Sequence, residues 1–455
     1  GLGRSGAAAA SLAAHHSGKP FVSDSAPEKQ LESETSKLRR EGIPYEAGGH
    51  TDRLLEMDYV VISPGIPPET EIVQKLSDQG TPVFSELEFA SWLLPGKMIA
   101  VSGSNGKTTT ATMIDGMIRA DRRPTFLCGN IGSPLSACVT DIPRDGVAVV
   151  EVSSYQLEYV DQFSPDVALI INLTPNHLER HGSLAKYREM KLRISGAQTA
   201  DDKLALNINS PDLDPLSVHT AARVLLFGPE EALESNSVGK GKRAAFLRGA
   251  SLFGVYDGAE VKICDTADLR VPGAHNVENA LAAASAALAF GVGPNSVRSG
   301  LLEFNGVEHR LEYVAEVNGV RLVNDSKATN LDATIKALEA TDGRIGLILG
   351  GRAKGEDFSQ LAPHIAGRVG HIVALGESKE AIFAALGKDA PVEFASSMSE
   401  AVTRLFDLAK PGETILLSPG CASFDMYRDF EQRGADFKRS VLALKDKKET
   451  NAVES

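Results

Sequence analysis

Short apolar runs alternate with longer amphipathic stretches along most of the chain. The amphipathic stretches at 108–120, 277–290 and 399–409 have the spacing of helices that bury one face. The apolar runs have the length and the Val, Ile and Leu content of buried strands, and they lie at 59–63, 98–102, 147–152, 167–173, 321–324, 345–349, 371–375 and 414–418. Regular strand–helix alternation predicts an α/β fold built on parallel sheets.

Two changes in this pattern predict three domains. One lies near 85–94, before a strand that enters a glycine-rich turn, and the other lies near 304–308, where Asn305-Gly306 interrupts a helical region. We predict an N-terminal Rossmann-like domain over 1–88, a central P-loop ATPase-like parallel sheet over 89–306 and a C-terminal Rossmann-like domain over 307–455. Because a glycine-rich turn opens the sequence, we expect the first strand of the N-terminal domain to be missing from it.

Three other stretches carry simpler predictions. The Ala-rich stretch at 7–14 is predicted as a helix rather than a secretory signal, because it is short and follows Arg4. Residues 228–243 are polar and contain glycine, which favours a surface hairpin or loop. The polar tail from Lys445 is expected to fray.

Composition narrows the class of protein. The chain has 455 residues, 42% of them hydrophobic, and a formal net charge of −13 that argues against a general nucleic-acid binder. The four cysteines, Cys128, Cys138, Cys264 and Cys421, are scattered without zinc-binding spacing and fit a reducing cytosol. No apolar run approaches the ~18 residues of a membrane span, so we expect a cytoplasmic protein without a membrane partner.

The sharpest chemical pattern follows the apolar run at 98–102. Gly103 and Gly106 permit a tight turn whose N–H groups face phosphate oxygens, and the helix that follows adds positive potential. Lys107 would neutralise the β- and γ-phosphates, and the Thr108 hydroxyl would face Mg²⁺. The generic P-loop pattern has glycine where this chain has Val101. The alternative is a plain strand–turn–helix with a surface lysine.

Three further residues are candidates for charge chemistry. Glu151 follows an apolar strand at its carboxyl end, where α/β sheets bind ligands, and a carboxylate oxygen suits Mg²⁺. His177 follows another strand end, and Lys191 lies in a helical stretch. Taken alone, each residue has an ordinary structural alternative: a capping or salt-bridged glutamate, a structural histidine and a solvated lysine.

The opening residues Gly1-Leu-Gly-Arg-Ser-Gly6 match a dinucleotide-binding fingerprint, with Asp24 about twenty residues further on. A single motif of this kind is weak, and a tight helix-packing turn is the alternative.

Eight segments together resemble the D-glutamate-adding branch of the Mur ligase superfamily. They occur in the order Ser63-Pro-Gly-Ile-Pro67, Ser102-Gly-Ser-Asn-Gly-Lys-Thr-Thr109, Gly129-Asn-Ile-Gly132, Glu151-Val-Ser-Ser-Tyr-Gln-Leu-Glu158, His275-Asn-Val-Glu-Asn279, Glu308-His-Arg310, Asn324-Asp-Ser-Lys-Ala-Thr-Asn330 and Ser418-Pro-Gly-Cys-Ala-Ser423. The resemblance covers essentially the whole chain except the tail. It implies three domains that hold a UDP-sugar, ATP and an amino acid in turn.

The resemblance also implies a reaction. ATP phosphorylates the alanyl carboxylate of UDP-N-acetylmuramoyl-L-alanine to an acyl phosphate, and the amino group of D-glutamate then displaces phosphate. This ligase activity would serve peptidoglycan precursor synthesis, and hence cell wall biogenesis, cell shape and cell division. The implied cofactors are ATP and two Mg²⁺ ions, and we expect a monomer that acts on small molecules.

The resemblance assigns roles to the following residues. The catalytic set is Lys107, Glu151, His177, Lys191 and Lys327; the metal ligands are Thr108, Glu151, His177 and a carbamate on Lys191. ATP would contact Gly103, Ser104, Asn105, Gly106, Lys107, Thr108, Thr109, Asn276, Asn279, Arg310 and Asp325. The UDP-sugar would contact Gly3, Arg4, Ser5, Asp24, Ser25, Ser63, Pro64, Gly65 and Asn130. D-Glutamate would contact Thr329, Lys354, Ser423, Phe424 and Phe430.

Some of these assignments have alternatives. Asn276 could instead cap a helix, Lys354 could be a solvated loop lysine, and Phe430 could belong to the core. Three alternatives remain for the function. The first is a ligase of another branch, which adds glutamate to folate or adds diaminopimelate. The others are a nicotinamide-dependent oxidoreductase built on the Gly1–Gly6 turn and a nucleotide-switched binding protein without ligase chemistry.

Overall fold

The computed structural model describes residues 1–174, 178–210, 212–213, 215–235, 242–271, 273–353 and 357–453. The chain forms two compact units, Gly1–Phe304 and Asn305–Ser455. The further division between residues 88 and 89 stays a prediction.

The first 92 residues alternate short strands with helices. The elements are α1 (Arg4–His15), β1 (Val22–Asp24), α2 (Glu32–Glu41), β2 (Tyr45–Ala47), β3 (Val60–Ile62), α3 (Glu71–Gln79), β4 (Val83–Ser85) and α4 (Glu86–Trp92). β1 pairs with β2 and β3 pairs with β4, both in parallel, so this region holds two separate two-stranded sheets. A cavity of 520 Å³ between them is lined by residues of β1, β3, α1 and α3.

The rest of the first unit surrounds a nine-stranded sheet with the order β13-β12-β11-β10-β9-β8-β5-β7-β6. All pairs from β11 to β6 are parallel, and β12 and β13 add an antiparallel edge. The elements are β5 (Lys97–Ser102), α5 (Lys107–Ala120), β6 (Thr125–Gly129), α6 (Leu135–Cys138), β7 (Val147–Glu151), β8 (Val167–Ile170), α7 (Leu178–His181), α8 (Leu184–Leu192), β9 (Lys203–Asn207), β10 (Arg223–Pro229), α9 (Glu230–Ser235), β11 (Arg243–Arg248), β12 (Ser251–Tyr256), β13 (Ala259–Asp265), α10 (Ala274–Phe290) and α11 (Pro294–Glu303).

These strands are continuous apolar runs in the sequence because their side chains are buried on both faces of the sheet. Every residue of β7 and β8 is buried, because helices cover both faces of a parallel sheet. Helix α10 is alanine-rich and buried over most of its length, so its small side chains let it lie close to the sheet and to α5.

Helices α5 and α11 approach each other closely at Gly300. A Cβ added there would lie 2.6 Å from the Met117 backbone nitrogen and 2.7 Å from the Met117 Cα. Glycine to alanine in a helix ordinarily stabilises by up to about 1 kcal/mol. We expect Gly300→Ala to destabilise the protein by about 2 kcal/mol instead, because the helices must separate. Thermal unfolding should show this loss, and the exposed neighbour variant Ser299→Ala should be neutral or slightly stabilising; equal effects would contradict the packing argument.

The second unit contains a six-stranded sheet with the order β14-β15-β19-β16-β17-β18. β14 and β15 form an antiparallel hairpin, and all other pairs are parallel. The elements are β14 (Glu312–Val317), β15 (Val320–Asn324), α12 (Leu331–Ala340), β16 (Ile345–Gly350), α13 (Ala362–Ile365), β17 (Val369–Leu375), α14 (Lys379–Leu386), β18 (Val392–Phe394), α15 (Met398–Leu408), β19 (Thr414–Leu417) and α16 (Phe430–Val453). Two separate apolar clusters form its core.

The predicted α/β fold is confirmed, and so is the helix at the Ala-rich stretch. The prediction for residues 228–243 is wrong: β10 extends to Pro229, α9 follows, and β10 and β11 are parallel strands rather than a hairpin. Residues 236–241 lie outside the described part of the chain. The tail from Lys445 continues α16 as far as Val453, and its predicted fraying stays a prediction. None of the helices in the described ranges combines the length and hydropathy that a bilayer span requires.

Candidate functional site

The predicted phosphate loop joins β5 to α5 near the middle of the large sheet. Gly103 (φ +151°) and Gly106 (φ +80°) have backbone conformations that other residues rarely adopt, and a Cβ on Gly106 would collide with the Asn279 carboxamide. Gly106 is also the N-cap of α5, and no side chain caps this helix. The N–H groups of the first helical turn are therefore oriented as an anion-binding site requires.

The loop is held by hydrogen bonds from its own lysine and from the segment after β8. Lys107 Nζ donates to the carbonyl oxygens of Gly103 and Ser104, both at 2.9 Å. The Ser104 hydroxyl donates to the Thr174 carbonyl at 2.9 Å, and the Asn105 N–H donates to Asn172 Oδ1 at 2.9 Å. These bonds hold the loop against the segment after β8.

Thr108 and Glu151, both predicted as metal ligands, are in direct contact. The Thr108 hydroxyl donates to Glu151 Oε2 at 2.7 Å, and Asn130 Nδ2 donates to Glu151 Oε1 at 2.7 Å. Glu151 is only 3% exposed. A buried carboxylate beside a hydroxyl offers the hard oxygens that Mg²⁺ prefers, so these residues fit a magnesium ion. The described residues contain no cluster of three or more His, Cys, Asp or Glu side chains that could hold a metal by themselves.

Lys191 is buried behind this pair rather than solvated. Its side chain is fully enclosed, Nζ lies 3.3 Å from the Ser102 hydroxyl, and the ammonium stands 4.9 Å from the centre of the Tyr187 ring. Burial lowers the pKa of Lys191 well below its usual value, and the positive charge of Lys107 lowers it further, whereas Glu151 acts in the opposite direction. These surroundings favour the neutral amine over the ammonium, and the predicted carbamate, which requires that amine, stays a prediction.

His177 lies outside the described residues, but helix α7 after it carries two conspicuous side chains. Arg180 forms a partly buried ion pair with Glu158 (2.6 Å) and donates to the Ile66 carbonyl at 3.0 Å. The His181 ring stacks on Tyr155 and its Nε2 lies 3.0 Å from the Ser154 hydroxyl. These contacts tie the segment after β8 to the segment after β7.

At the amino end, residues Gly1–Gly3 lead into α1, Gly3 is the helix N-cap, and Arg4, Ser5 and Gly6 form the first turn of the helix. Asp24 accepts hydrogen bonds from the Leu2 and Ala26 N–H groups at 2.6 and 2.8 Å. Burial raises the pKa of Asp24, but these two bonds, together with the charges of the Gly1 amino group and His50, outweigh it and the pKa is lowered. Ser63 lies against Gly1, and Arg4 donates to the Gly132 carbonyl at 3.3 Å.

The predicted UDP-sugar residues Gly1–Gly6, Asp24 and Ser63 are thus brought together, whereas their binding roles, and those of Ser5, Ser25, Pro64, Gly65 and Asn130, stay predictions.

Asn276 and Asn279 both lie within α10. The alternative that Asn276 caps this helix is wrong, because α10 begins at Ala274 with Gly273 as its N-cap. Asn279 is buried against Gly106 and accepts a long hydrogen bond from the Thr110 hydroxyl at 3.4 Å. Its carboxamide therefore packs on the phosphate loop; recognition of adenine by either residue, like the ATP contact of Thr109, stays a prediction.

In the second unit, the predicted residues lie at the carboxyl ends of neighbouring parallel strands. Asp325 and Lys327 follow β15, and Ser423 follows β19. The Gly420 N–H donates to the Ala328 carbonyl at 3.0 Å, which ties these two loops together. Ser423 is buried, Phe424 is 62% exposed, and the half-buried Phe430 ring stands edge-on to His309.

Not every predicted amino-acid contact can be placed. Lys354 lies outside the described residues. The positive charge of Arg310 acts on the buried Asp325, whose pKa it lowers. The binding roles of Arg310 and Thr329 stay predictions. Arg352 has a clear partner, since its Nε and Nη2 donate to the two carboxylate oxygens of Glu377 at 3.0 and 2.9 Å.

Asp325 is buried at the end of β15, where it accepts hydrogen bonds from the Ser418 hydroxyl at 2.8 Å and the Leu311 N–H at 3.1 Å. Burial raises its pKa from 3.8 to about 6, against the opposite effect of these bonds. Between pH 3.8 and 6 the Asp325 carboxyl group binds its proton more tightly in the folded state than in the unfolded state. Protonation of Asp325 therefore contributes to the stability of the fold below pH 3.8, and this contribution is lost as pH rises through 6.

We therefore expect Asp325→Asn to stabilise the second unit by about 1–3 kcal/mol at pH 7 and to change little at pH 3.5. Hydrogen exchange of the β15 amides at the two pH values measures this difference. The same stabilisation at both pH values would contradict it.

Three residues of the site escaped sequence reasoning. Tyr187 contacts the Ser104 hydroxyl at 3.0 Å, Asn172 accepts from the loop, and Arg433 lies buried behind the loops of the second unit. Asn172 follows the end of β8 as Glu151 ends β7, so the strand-end rule could have found it. No local pattern indicates the other two.

Comparison with known families gives three matches along the chain. Residues 1–72 match the MurD N-terminal domain, residues 101–287 the Mur ligase middle domain, and residues 309–421 the Mur ligase glutamate ligase domain. Among solved structures, UDP-N-acetylmuramate-alanine ligase MurC from Thermotoga maritima is similar over 98% of both chains (TM-score 0.54, 20% identity). MurF from Acinetobacter baumannii is similar over 84% of both chains (TM-score 0.55, 21% identity). These two likenesses show the fold.

Two curated relatives are more similar in sequence. The UDP-N-acetylmuramoylalanine–D-glutamate ligase of Chlorobium phaeobacteroides (strain BS1) is 41% identical over 98% of this chain and 97% of its own length. That of Acidobacterium capsulatum is 40% identical over 97% and 95%. The chain therefore belongs to the family of UDP-N-acetylmuramoylalanine–D-glutamate ligases.

Proposed function

We propose that this protein joins D-glutamate to UDP-N-acetylmuramoyl-L-alanine at the expense of ATP, in the synthesis of peptidoglycan precursors. The observation that carries the proposal is the phosphate loop with the Thr108–Glu151 pair and the buried Lys191 beside it. Transfer of a phosphoryl group to a carboxylate brings two anions together, which requires concentrated positive charge. The glycine turn, Lys107 and a metal at Thr108 and Glu151 would provide that charge.

The groups of the first unit divide this work. The N–H groups at the start of α5 would bind the phosphates, and Lys107 would exchange its bonds to Gly103 and Ser104 for the β- and γ-phosphates. Mg²⁺ held by Thr108 and Glu151 would offset charge on the transferred phosphoryl group. Asn130 would keep the Glu151 carboxylate oriented through its hydrogen bond.

A second Mg²⁺, held by His177 and a carbamate on Lys191, belongs to the same proposal. The neutral amine of Lys191 would add to CO₂, so that a C–N bond forms and the amine proton passes to solvent. The product is an anion in a pocket where the ammonium is disfavoured, and its charge would be matched by the metal.

The second unit would bind the amino acid. Its Lys327 would stabilise negative charge on the acyl phosphate and on the tetrahedral intermediate, and Thr329, Lys354, Ser423, Phe424 and Phe430 would hold D-glutamate. Residues 1–88 would bind the UDP-sugar, 89–306 ATP and 307–455 the amino acid. We propose that the protein works as a cytoplasmic monomer.

Phosphate release tests this proposal. It should require ATP, UDP-N-acetylmuramoyl-L-alanine and D-glutamate together, and omission of any one should reduce the rate to background. Release without an amino acid would favour a nucleotide-switched binding protein. A preference for diaminopimelate over D-glutamate, or for a folate acceptor, would favour another branch of the superfamily.

A further inference from the structure

A buried arginine of the second unit has no assigned role. Arg433 lies in the first turn of α16, is 3% exposed, and donates three hydrogen bonds to uncharged oxygens. Nε reaches the Ser326 hydroxyl at 3.0 Å, Nη2 reaches the Ser326 carbonyl at 2.8 Å, and Nη1 reaches the Cys421 carbonyl at 3.0 Å. In the described part of the chain, no carboxylate lies within 4.0 Å of its guanidinium nitrogens.

The two residues that Arg433 contacts belong to different loops. Ser326 stands between Asp325 and Lys327 in the loop after β15, and Cys421 lies in the loop after β19, two residues before Ser423. β15 and β19 are neighbouring parallel strands, so both loops leave the same edge of the sheet. The planar guanidinium therefore links the loop that carries Lys327 to the loop that carries Ser423 through hydrogen bonds to both.

Charge adds to this arrangement. Burial lowers the pKa of Arg433 to about 10, with small opposing effects from nearby groups that include Asp425, so the guanidinium stays charged at neutral pH. A charge that is poorly screened by water acts over a longer distance than one at the surface. A dicarboxylate ligand in the adjacent loops would experience this charge as attraction.

We infer that Arg433 is a positioning residue for the amino-acid subsite: it sets the spacing of the Lys327 and Ser423 loops and gives the subsite a fixed positive charge suited to a dicarboxylic amino acid. This inference rests on the proposed function, because it assigns the two loops to D-glutamate. It predicts that loss of the arginine impairs the use of the amino acid selectively.

The test is steady-state kinetics of phosphate release with each substrate varied in turn. Arg433→Met should raise the KM for D-glutamate at least about tenfold and leave the KM for ATP within about twofold. Arg433→Lys keeps the charge and loses the planar fork, so its KM for D-glutamate should fall between those of Arg433→Met and wild type. Arg439→Met, on the same helix but 69% exposed, is the matched control and should behave as wild type.

A fourth variant keeps the test decisive if Arg433→Met fails to fold. Ser326→Ala removes one acceptor of the guanidinium, so it should also raise the KM for D-glutamate, by less than Arg433→Met. Unchanged KM for D-glutamate in the folded variants, or equal increases in the KM of all three substrates, would overturn the inference and leave the proposed function standing. A wild-type chain without any D-glutamate-dependent phosphate release would overturn both.

Discussion

Replacing Lys107 with alanine should lower ATP-dependent phosphate release by about a thousandfold while the protein remains folded. The Lys107 ammonium is the cation of the phosphate loop, and it donates to the Gly103 and Ser104 carbonyls at 2.9 Å. Alanine leaves these carbonyls to water at a loss of about 1 kcal/mol, too little to unfold the protein. It also leaves the negative charge that develops on the phosphoryl group without its nearest cation, which lowers the rate of phosphate release.

The same strand provides a matched control. Lys97 begins β5 at the end of the strand opposite the loop, is 65% exposed and pairs with Asp166 at 2.8 Å. Lys97→Ala removes the same charge and should keep activity within about twofold of wild type, because exposed ion pairs contribute little. Phosphate release and near-ultraviolet circular dichroism on both variants decide the matter. More than a tenth of wild-type activity in Lys107→Ala would discredit the ATP assignment.

The phosphate loop was predictable because its signals are local. Gly103 and Gly106 occupy conformations that favour glycine, and an apolar strand and a helix with hydroxyl residues flank them. The contact between Thr108 and Glu151 was also predictable, because Thr108 follows β5, Glu151 ends the neighbouring strand β7, and residues at the carboxyl ends of neighbouring parallel strands meet at one edge of the sheet.

The burial of Lys191 was not predictable from the residues themselves. Its neighbours in α8 include the exposed Lys186, and the helix has no strong apolar face, so sequence alone favours a solvated lysine. Its environment comes from Ser102, 89 positions earlier in the chain, which only the fold brings near. The burial of Arg433 was unpredictable for the same reason, since its partner Ser326 lies 107 positions earlier in the chain.

The segment at 228–243 shows how a polar pattern can mislead. Glu230 opens α9 and pairs with Arg243 and Arg248 on the following strand. Acidic residues in a first helical turn and ion pairs to a neighbouring strand stabilise a short polar helix that carries few apolar residues. The pairing partners are separated in sequence, so composition alone favoured a loop.

Replacing Lys191 with methionine should abolish turnover and at the same time stabilise the protein. The side chain is enclosed, and both burial and the charge of Lys107 disfavour its ammonium. Methionine has a similar length and no charge, so it removes an unfavourable group from the interior. We expect the free energy of unfolding at pH 7 to rise by about 1 kcal/mol or more in buffer depleted of CO₂.

The pH dependence of the free energy of unfolding tests the predicted stabilisation by Lys191→Met. The folded pKa of Lys191 lies below the unfolded value of 10.5, so the unfolded chain binds the proton more tightly between these two values. The wild-type free energy of unfolding therefore contains a contribution that rises with pH across that window, and Lys191→Met should lack it. Lys186→Met, an exposed lysine on the same helix, should keep both this slope and the activity.

Labelled bicarbonate separates the two roles of Lys191. ¹³C NMR of the wild-type protein with ¹³C-bicarbonate should show a carbamate signal that is lost in Lys191→Met and kept in Lys186→Met. Appreciable turnover by Lys191→Met would remove the carbamate from the mechanism. An unchanged pH slope would show instead that the amine is not held in the neutral form by its surroundings. Stabilisation together with lost activity is the expected result, because a group whose charge the interior disfavours is retained for its chemistry.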